Sequence, residues 1–324
     1  MRIRHLDERS PLNAEHDALG IPPLEETIAA PRPRLAQHYA LSFGVLALLA
    51  AIAYVFGDRL LPPAAVEALS GIGDGLTTPM FWSAVAVGLL AQVIDGALGM
   101  AYGITATTFL LSTGVSPAAA SASVHIAEIF TTGLSGWSHW RFGNVDKRLF
   151  KRLLLPGLAG AVVGAYVITS VDGKAIKPWI AGYLLLMGFY ILYKAFRHVQ
   201  RRRHDMPRHV GPLALLGGFV DAVGGGGWGP VVTSSLIGTG NNPRTTIGSV
   251  NAAEFFLAIA TSATFAVLVG ATYWTVIAGL VLGGMFAAPL AAWLCRHLPA
   301  RILLVLVGVL ITVLSVFNLY KALA

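Results

Sequence analysis

From residue 37 onward the chain alternates between long apolar stretches and short polar turns, and most stretches run for about 20 residues. As an α-helix, that length spans a hydrocarbon layer of about 30 Å. The pattern predicts membrane-crossing helices over residues 37–56, 118–138, 150–169, 177–196, 245–270, 272–294 and 300–320. Two further stretches, 81–112 and 211–239, differ from these. The first is too long for one crossing and carries Asp95-Gly96-Ala97-Leu98-Gly99-Met100-Ala101-Tyr102-Gly103. The second carries Asp221-Ala222-Val223-Gly224-Gly225-Gly226-Gly227-Trp228-Gly229-Pro230. Glycine costs a helix interior about 1 kcal/mol and proline about 3, so both stretches should break near their midpoints.

The two interrupted stretches are related. At an offset of 126 residues Asp95 falls on Asp221, Gly99 on Gly225, Gly103 on Gly229 and Pro117 on Pro243. The run Ser123-Val124-His125-Ile126-Ala127-Glu128 falls on Ser249-Val250-Asn251-Ala252-Ala253-Glu254. Over residues 89–130, 15 of 42 aligned positions are identical. Shared apolar composition accounts for matched Leu or Ala, but not for coincident Asp, Glu, Pro and Gly. The chain therefore reads as a duplication, with a first repeat over 80–196, a basic linker over 197–210 and a second repeat over 211–324. Residues 36–57 supply an extra transmembrane helix before the repeats. Residues 1–35, rich in proline and in charges of both signs, read as a disordered cytoplasmic tail.

Composition narrows the class. The chain is 55% hydrophobic and 12% charged, against about 25% charged for a soluble domain. The net charge of +7 would suggest nucleic acid in a soluble protein. Here the basic residues lie in the turns, as in cytoplasmic loops of membrane proteins, so no nucleic-acid partner is expected. The single Cys295 excludes an internal disulfide and a CxxC metal site.

Loop charges predict orientation. Arg141, Lys147, Arg148, Lys151 and Arg152 mark one loop as cytoplasmic, and Arg197, Arg201, Arg202, Arg203 and Arg208 mark the linker likewise. The uncharged Val269-Gly270-Ala271-Thr272 turn reads as periplasmic. Lys174 and Lys177 run against the trend. The assignments agree if each interrupted stretch enters and returns on one side. The predicted fold is thus an all-α membrane protein of two inverted repeats, each with one re-entrant or broken helix plus three transmembrane helices, after one extra N-terminal transmembrane helix. The alternative is nine full crossings with parallel halves. The expected location is a bacterial inner membrane, with a cytoplasmic N-terminus and a periplasmic C-terminus.

Irregular backbone at membrane depth is tolerated only where protein buries it or water reaches it. Half-helix N-termini present N–H groups and a positive dipole end to anions, and glycine lets a compact oxyanion approach the backbone. The expected anion-binding residues are Gly99, Tyr102, Gly103, Gly225, Gly226, Gly227 and Trp228, with Ser123, His125, Ser249 and Asn251 as side-chain donors. Trp228 and Tyr102 would close over the ligand, or simply pack. Asp95, Asp221, Glu128 and Glu254 would relay protons, or cap the broken helices and brace the repeats, because ionised groups at a helix centre are costly. Arg244 in a loop could lure an anion. Gly133-Leu134-Ser135-Gly136 matches the short motif of intramembrane serine proteases, but His125 on the same helix is out of reach of Ser135. His125 and Glu128 lack the further ligands of a metal site. No enzyme, metal or cofactor is expected.

The paired Gly-rich segments, each followed by Pro117 or Pro243 and then Ser-Val-x-x-Ala-Glu, resemble the TauE/SafE family. The resemblance runs from about residue 80 to the C-terminus, and His125 replaces a second Asn. It implies export of sulfite or an organosulfonate such as sulfoacetate by alternating access. The alternatives are a proton-coupled importer of sulfate-like anions and a membrane sensor or assembly module. A membrane potential alone could drive export, by about 2.3 kcal/mol per charge per 100 mV. The expected partners are the small anion and the lipid bilayer; the oligomeric state is open.

Overall fold

A computed structural model of the chain describes residues 75–98, 100–141, 143–196, 209–239, 241–268, 273–297 and 300–324. The N-terminal tail, the extra helix at 36–57, residues 197–208 of the linker and Gly99 lie outside the described residues. Among those described there is helix and no strand. In the first half the helices are α1 (Pro79–Leu98), α2 (Tyr102–Ser112), α3 (Pro117–Arg141), α4 (Lys147–Ser170) and α5 (Gly173–Phe196). In the second half, α6 (Val210–Gly224) is followed by a π-helical turn (Gly229–Thr233) that runs into α7 (Ser234–Gly238). Then come α8 (Pro243–Leu268), α9 (Trp274–His297) and α10 (Ala300–Leu323).

Both glycine-rich stretches are broken. The first interruption falls between α1 and α2, where Ala101 has φ 91°. A residue with a Cβ pays about 1–2 kcal/mol for the left-handed region. The second falls between α6 and the π-helical turn, with Gly225 at φ 65° and Gly226 at φ 152°. The π-helical turn was not predicted. Pro230 lies in its first turn, where an N–H would have no partner in the helical ladder, so the proline costs no bond there.

Glycines set how the helices pack. Gly160 and Gly164 of α4 lie against Leu215 and Phe219 of α6, so α4 and α6 run parallel. Gly279 and Gly283 of α9 lie against Phe81 and Val85 of α1, another parallel pair. Gly133 of α3 faces Phe255 of α8 while Gly136 faces Ala252, so α3 and α8 run antiparallel. Likewise Gly188 of α5 faces Thr312 of α10 while Gly308 faces Leu192, again antiparallel. Small residues let membrane helices approach until backbone meets backbone. Every one of these pairs joins one half of the chain to the other.

Among the described residues, four helices are long and apolar enough to cross a membrane, over Lys147–Ser170, Gly173–Phe196, Thr245–Leu268 and Leu304–Leu323. Large apolar side chains stand on the outside, among them Leu155 (72% exposed), Trp179 (79%) and Val267 (85%). Soluble surfaces avoid such contiguous apolar area; a lipid-facing surface requires it. The protein is an all-helical, multi-pass membrane protein.

Candidate functional site

The two breaks touch each other. Gly103 sits so close to Gly226 Cα, the Gly225 carbonyl and Glu128 Oε1 that a Cβ there would overlap all three. Thr107 Oγ1 donates to the Gly225 carbonyl at 2.5 Å, and Tyr183 of α5 donates to the Gly226 carbonyl at 2.9 Å. The meeting point encloses a cavity of about 10 Å³, room for about one water molecule. Asp95, Glu128, Asp221 and Glu254 all line it. Asp95 and Asp221 are one matched pair of the duplication, Glu128 and Glu254 the other, so four helices deliver equivalent carboxylates to one point. Tyr102, Gly103, Gly226 and Gly227 line it as well.

The aspartates cap the half-helices. Asp221 Oδ1 accepts from the backbone N–H groups of Gly227 (2.7 Å) and Trp228 (3.0 Å), and the Asp221 carbonyl accepts from Gly226 N. In the first half the Tyr102 amide faces the Asp95 carboxylate across the break. These amides were expected to face an anion; in this arrangement the aspartates hold them. The reason is local, because a carboxylate six or seven residues upstream satisfies donors that the broken helix leaves orphaned.

His125 links the halves. Its Nε2 lies 3.2 Å from Asp221 Oδ2. Its Nδ1 lies 2.8 Å from the Ser121 carbonyl and 3.3 Å from Ser121 Oγ, a hydroxyl that itself donates to the Ala222 carbonyl at 2.6 Å. Glu128 is 2% exposed, and its Oε2 has no hydrogen-bond partner. A His125 ring nitrogen, a Glu128 oxygen and an Asp221 oxygen lie within 4.8 Å of one another.

Other expected site residues lie elsewhere. Ser123 donates to the Ala119 carbonyl four residues back. Ser249 donates to the Thr245 carbonyl and accepts from Asp146 N at the start of α4. Asn251 donates to Ser135 Oγ, bracing α8 against α3. Trp228 is fully buried, packs between α4 and α8, and donates from Nε1 to the Val250 carbonyl. Gly225 belongs to the break but does not line the cavity. Ser135 of the protease-like motif thus meets an asparagine rather than a histidine. The Arg244 side chain lies outside the described residues.

One residue near the site was not anticipated. Lys194 of α5, 8% exposed, is the one buried lysine or arginine among the described residues. Its Nζ reaches Ser234 Oγ and Met100 Sδ, each at 3.3 Å, and Met100 lines the cavity. The signal was present in the sequence, since Leu192-Tyr193-Lys194-Ala195 recurs as Leu319-Tyr320-Lys321-Ala322.

Comparison with known proteins points to a family of membrane transporters. A sequence model of the family described as "Sulfite exporter TauE/SafE" matches residues 84–318. A Bacillus subtilis (strain 168) protein named "Probable membrane transporter protein YtnM" is 43% identical over 231 residues, covering 68% of this chain and 77% of that protein. No solved structure matches the chain.

Proposed function

This chain belongs to the TauE/SafE family of membrane transporters, and from that membership we propose that it exports a small sulfur oxyanion, sulfite or an organosulfonate such as sulfoacetate, by alternating access. The observation that carries the reading is the direct contact of the two helix breaks beside one small polar cavity. Broken helices meeting at the interface of two repeats are how many secondary transporters build a substrate site. A sensor or assembly module has no need of four carboxylates at that depth, since buried charge is expensive.

The antiparallel pairing of matched helices, α3 with α8 and α5 with α10, supports inverted halves. A two-fold axis in the membrane plane turns matched helices over, whereas an axis along the membrane normal leaves them parallel. The same directions support α1 and α2 entering and returning on one side. With the loop charges, they support a cytoplasmic N-terminus and a periplasmic C-terminus in an inner membrane.

A cavity of about 10 Å³ is too small for any sulfur oxyanion, so this is the closed arrangement. Substrate is admitted when the halves separate on one side at a time. Gly103, Gly226, Gly227 and Tyr102 then form the anion's backbone surroundings, with Gly225 beside them. His125 stands behind Asp221, one contact away from this surface. Ser123, Ser249, Asn251 and Trp228 hold the helices that carry this surface. The carboxylate lining favours a second reading, a proton-coupled importer of sulfate-like anions.

The test is reconstitution of the purified protein into liposomes, followed by uptake of labelled sulfite, sulfate and sulfoacetate at imposed potentials. Saturable flux of at least one sulfur oxyanion is expected. Equal counts with and without protein, for all three, would remove the transport reading.

A further inference from the structure

The buried ring of His125 has an oxygen at each nitrogen. Nδ1 lies 2.8 Å from the Ser121 carbonyl, and Nε2 lies 3.2 Å from Asp221 Oδ2. The Ser121 hydroxyl, 3.3 Å from Nδ1, already has its hydrogen on the Ala222 carbonyl, so Nδ1 is the donor on that side. A neutral imidazole has a single N–H. Nε2 then turns a lone pair toward a carboxylate oxygen. Histidines that ligate metals are held in this way, one nitrogen donating to a backbone carbonyl and the other facing the ion.

Glu128 completes the group. It follows His125 by three residues on α3, so the two side chains share one helix face. It is 2% exposed and lines the cavity, yet its Oε2 has no hydrogen-bond partner. Asp221, 96 residues from His125 in the chain, commits Oδ1 to the Gly227 and Trp228 amides and keeps Oδ2 clear of them. One ligand atom from each of the three side chains lies within 4.8 Å of the other two. Spacing alone offered His125 and Glu128 as a pair short of ligands; the fold brings Asp221 to them from the other half. A charged histidine paired with Asp221 would satisfy two of these atoms and strand Glu128 Oε2. A single cation among the three satisfies them all.

We propose that His125, Glu128 and Asp221 bind a divalent transition-metal ion of the zinc type, which ties the two halves of the chain together where their helix breaks meet. Calcium and magnesium take oxygen ligands, whereas an imidazole among carboxylates suits zinc and its neighbours. Bonds of about 2.0–2.2 Å set neighbouring ligand atoms of a tetrahedral site about 3.3 Å apart. The 3.2 Å between His125 Nε2 and Asp221 Oδ2 already meets that spacing, and Glu128 has to close in by about 1.5 Å at most. Asp95 and Glu254 line the same cavity, so a fourth ligand, carboxylate or water, has a place. Two carboxylates balance the charge of the ion, which lowers the cost of keeping them ionised in a buried space.

The test uses the full-length protein, purified in detergent without a metal-affinity tag, stripped with EDTA and reloaded with Zn²⁺ or Co²⁺. The protein should keep one ion per chain through gel filtration and melt several degrees higher with Zn²⁺ than with EDTA. X-ray absorption on the zinc-loaded wild type should show one imidazole, about two or three oxygens and no sulfur around the ion. His125→Asn, which copies Asn251 of the second repeat, and Glu128→Gln should each weaken Co²⁺ binding by at least about tenfold, since even an outer partner of a metal ligand is worth that much. The remaining histidines and Cys295 are the rival ligands. A chain that keeps no ion, binding that ignores both variants, or a spectrum with several imidazoles or a sulfur overturns the proposal. The absorption measurement needs no variant, so it decides even where a variant fails to fold. None of these readouts involves flux, so the metal site and the exporter reading stand or fall separately.

Discussion

Thr107 and Gly225, from opposite halves of the chain, are joined by a 2.5 Å hydrogen bond from the threonine hydroxyl to the glycine carbonyl. This bond ties the helix that leaves the first break to the turn that forms the second. Thr107→Val keeps the side-chain volume and strips the donor, leaving a buried carbonyl short of a partner at a cost of about 1–3 kcal/mol. The expected result is a melting temperature in detergent lowered by several degrees, with Thr107→Ser close to wild type. A Val variant that melts with the wild type would mean the breaks are held together by packing alone.

The contact between breaks also depends on Gly103. A methyl group there would meet Gly226, the Gly225 carbonyl and Glu128 at once, and two of those obstacles are backbone. Gly103→Ala should therefore cut sulfur-oxyanion flux by at least about tenfold, equivalent to about 1.4 kcal/mol, and lower thermal stability. Gly182→Ala in α5 is the control, since nothing lies within 4 Å of its would-be Cβ; it should match wild type or gain slightly, as alanine favours helix. Equal flux in the two variants would argue that the breaks move apart freely.

Duplication made the centre of the site legible. Asp95, Glu128, Asp221 and Glu254 could be paired by offset alone, and matched residues near a two-fold axis meet. What failed was the assignment of side chains whose fate depends on distant neighbours. Trp228 fills space left by Gly157 and Gly217, one of which lies about 70 residues away in the chain. Ser123 and Ser249 satisfy themselves on the carbonyl four residues back, a common resort of serine inside a helix that spacing cannot distinguish from ligand binding. The amides of Gly227 and Trp228 are held by Asp221, the capping role that the sequence offered beside a proton relay. Lys194 was missed because it sits just before the basic linker, where charge reads as a loop signal. Its counterpart Lys321 is exposed, near the Phe317 ring, so symmetry in sequence did not carry symmetry of burial.

Lys194 supports a prediction of its own. Its ammonium is buried, bonded to a hydroxyl and a thioether, and one residue removed from the cavity through Met100. A cation so placed attracts an anion approaching the breaks. Lys194→Met preserves the apolar stem and should raise the KM for sulfite by about tenfold, close to 1.4 kcal/mol, with little change in maximal rate. An unchanged KM with a lowered melting temperature would assign Lys194 to bracing.

Asp221 has two duties that substitution can separate. Its Oδ1 caps Gly227 and Trp228, and its Oδ2 meets His125. Asp221→Asn keeps an acceptor for the two amides, so the variant should fold and melt near the wild type. Asp221→Ala leaves two buried N–H groups unpaired at about 1–3 kcal/mol each, and should reach the membrane poorly or melt well below the Asn variant. If Asn and Ala were equally destabilised, charge rather than capping would be what holds the second break.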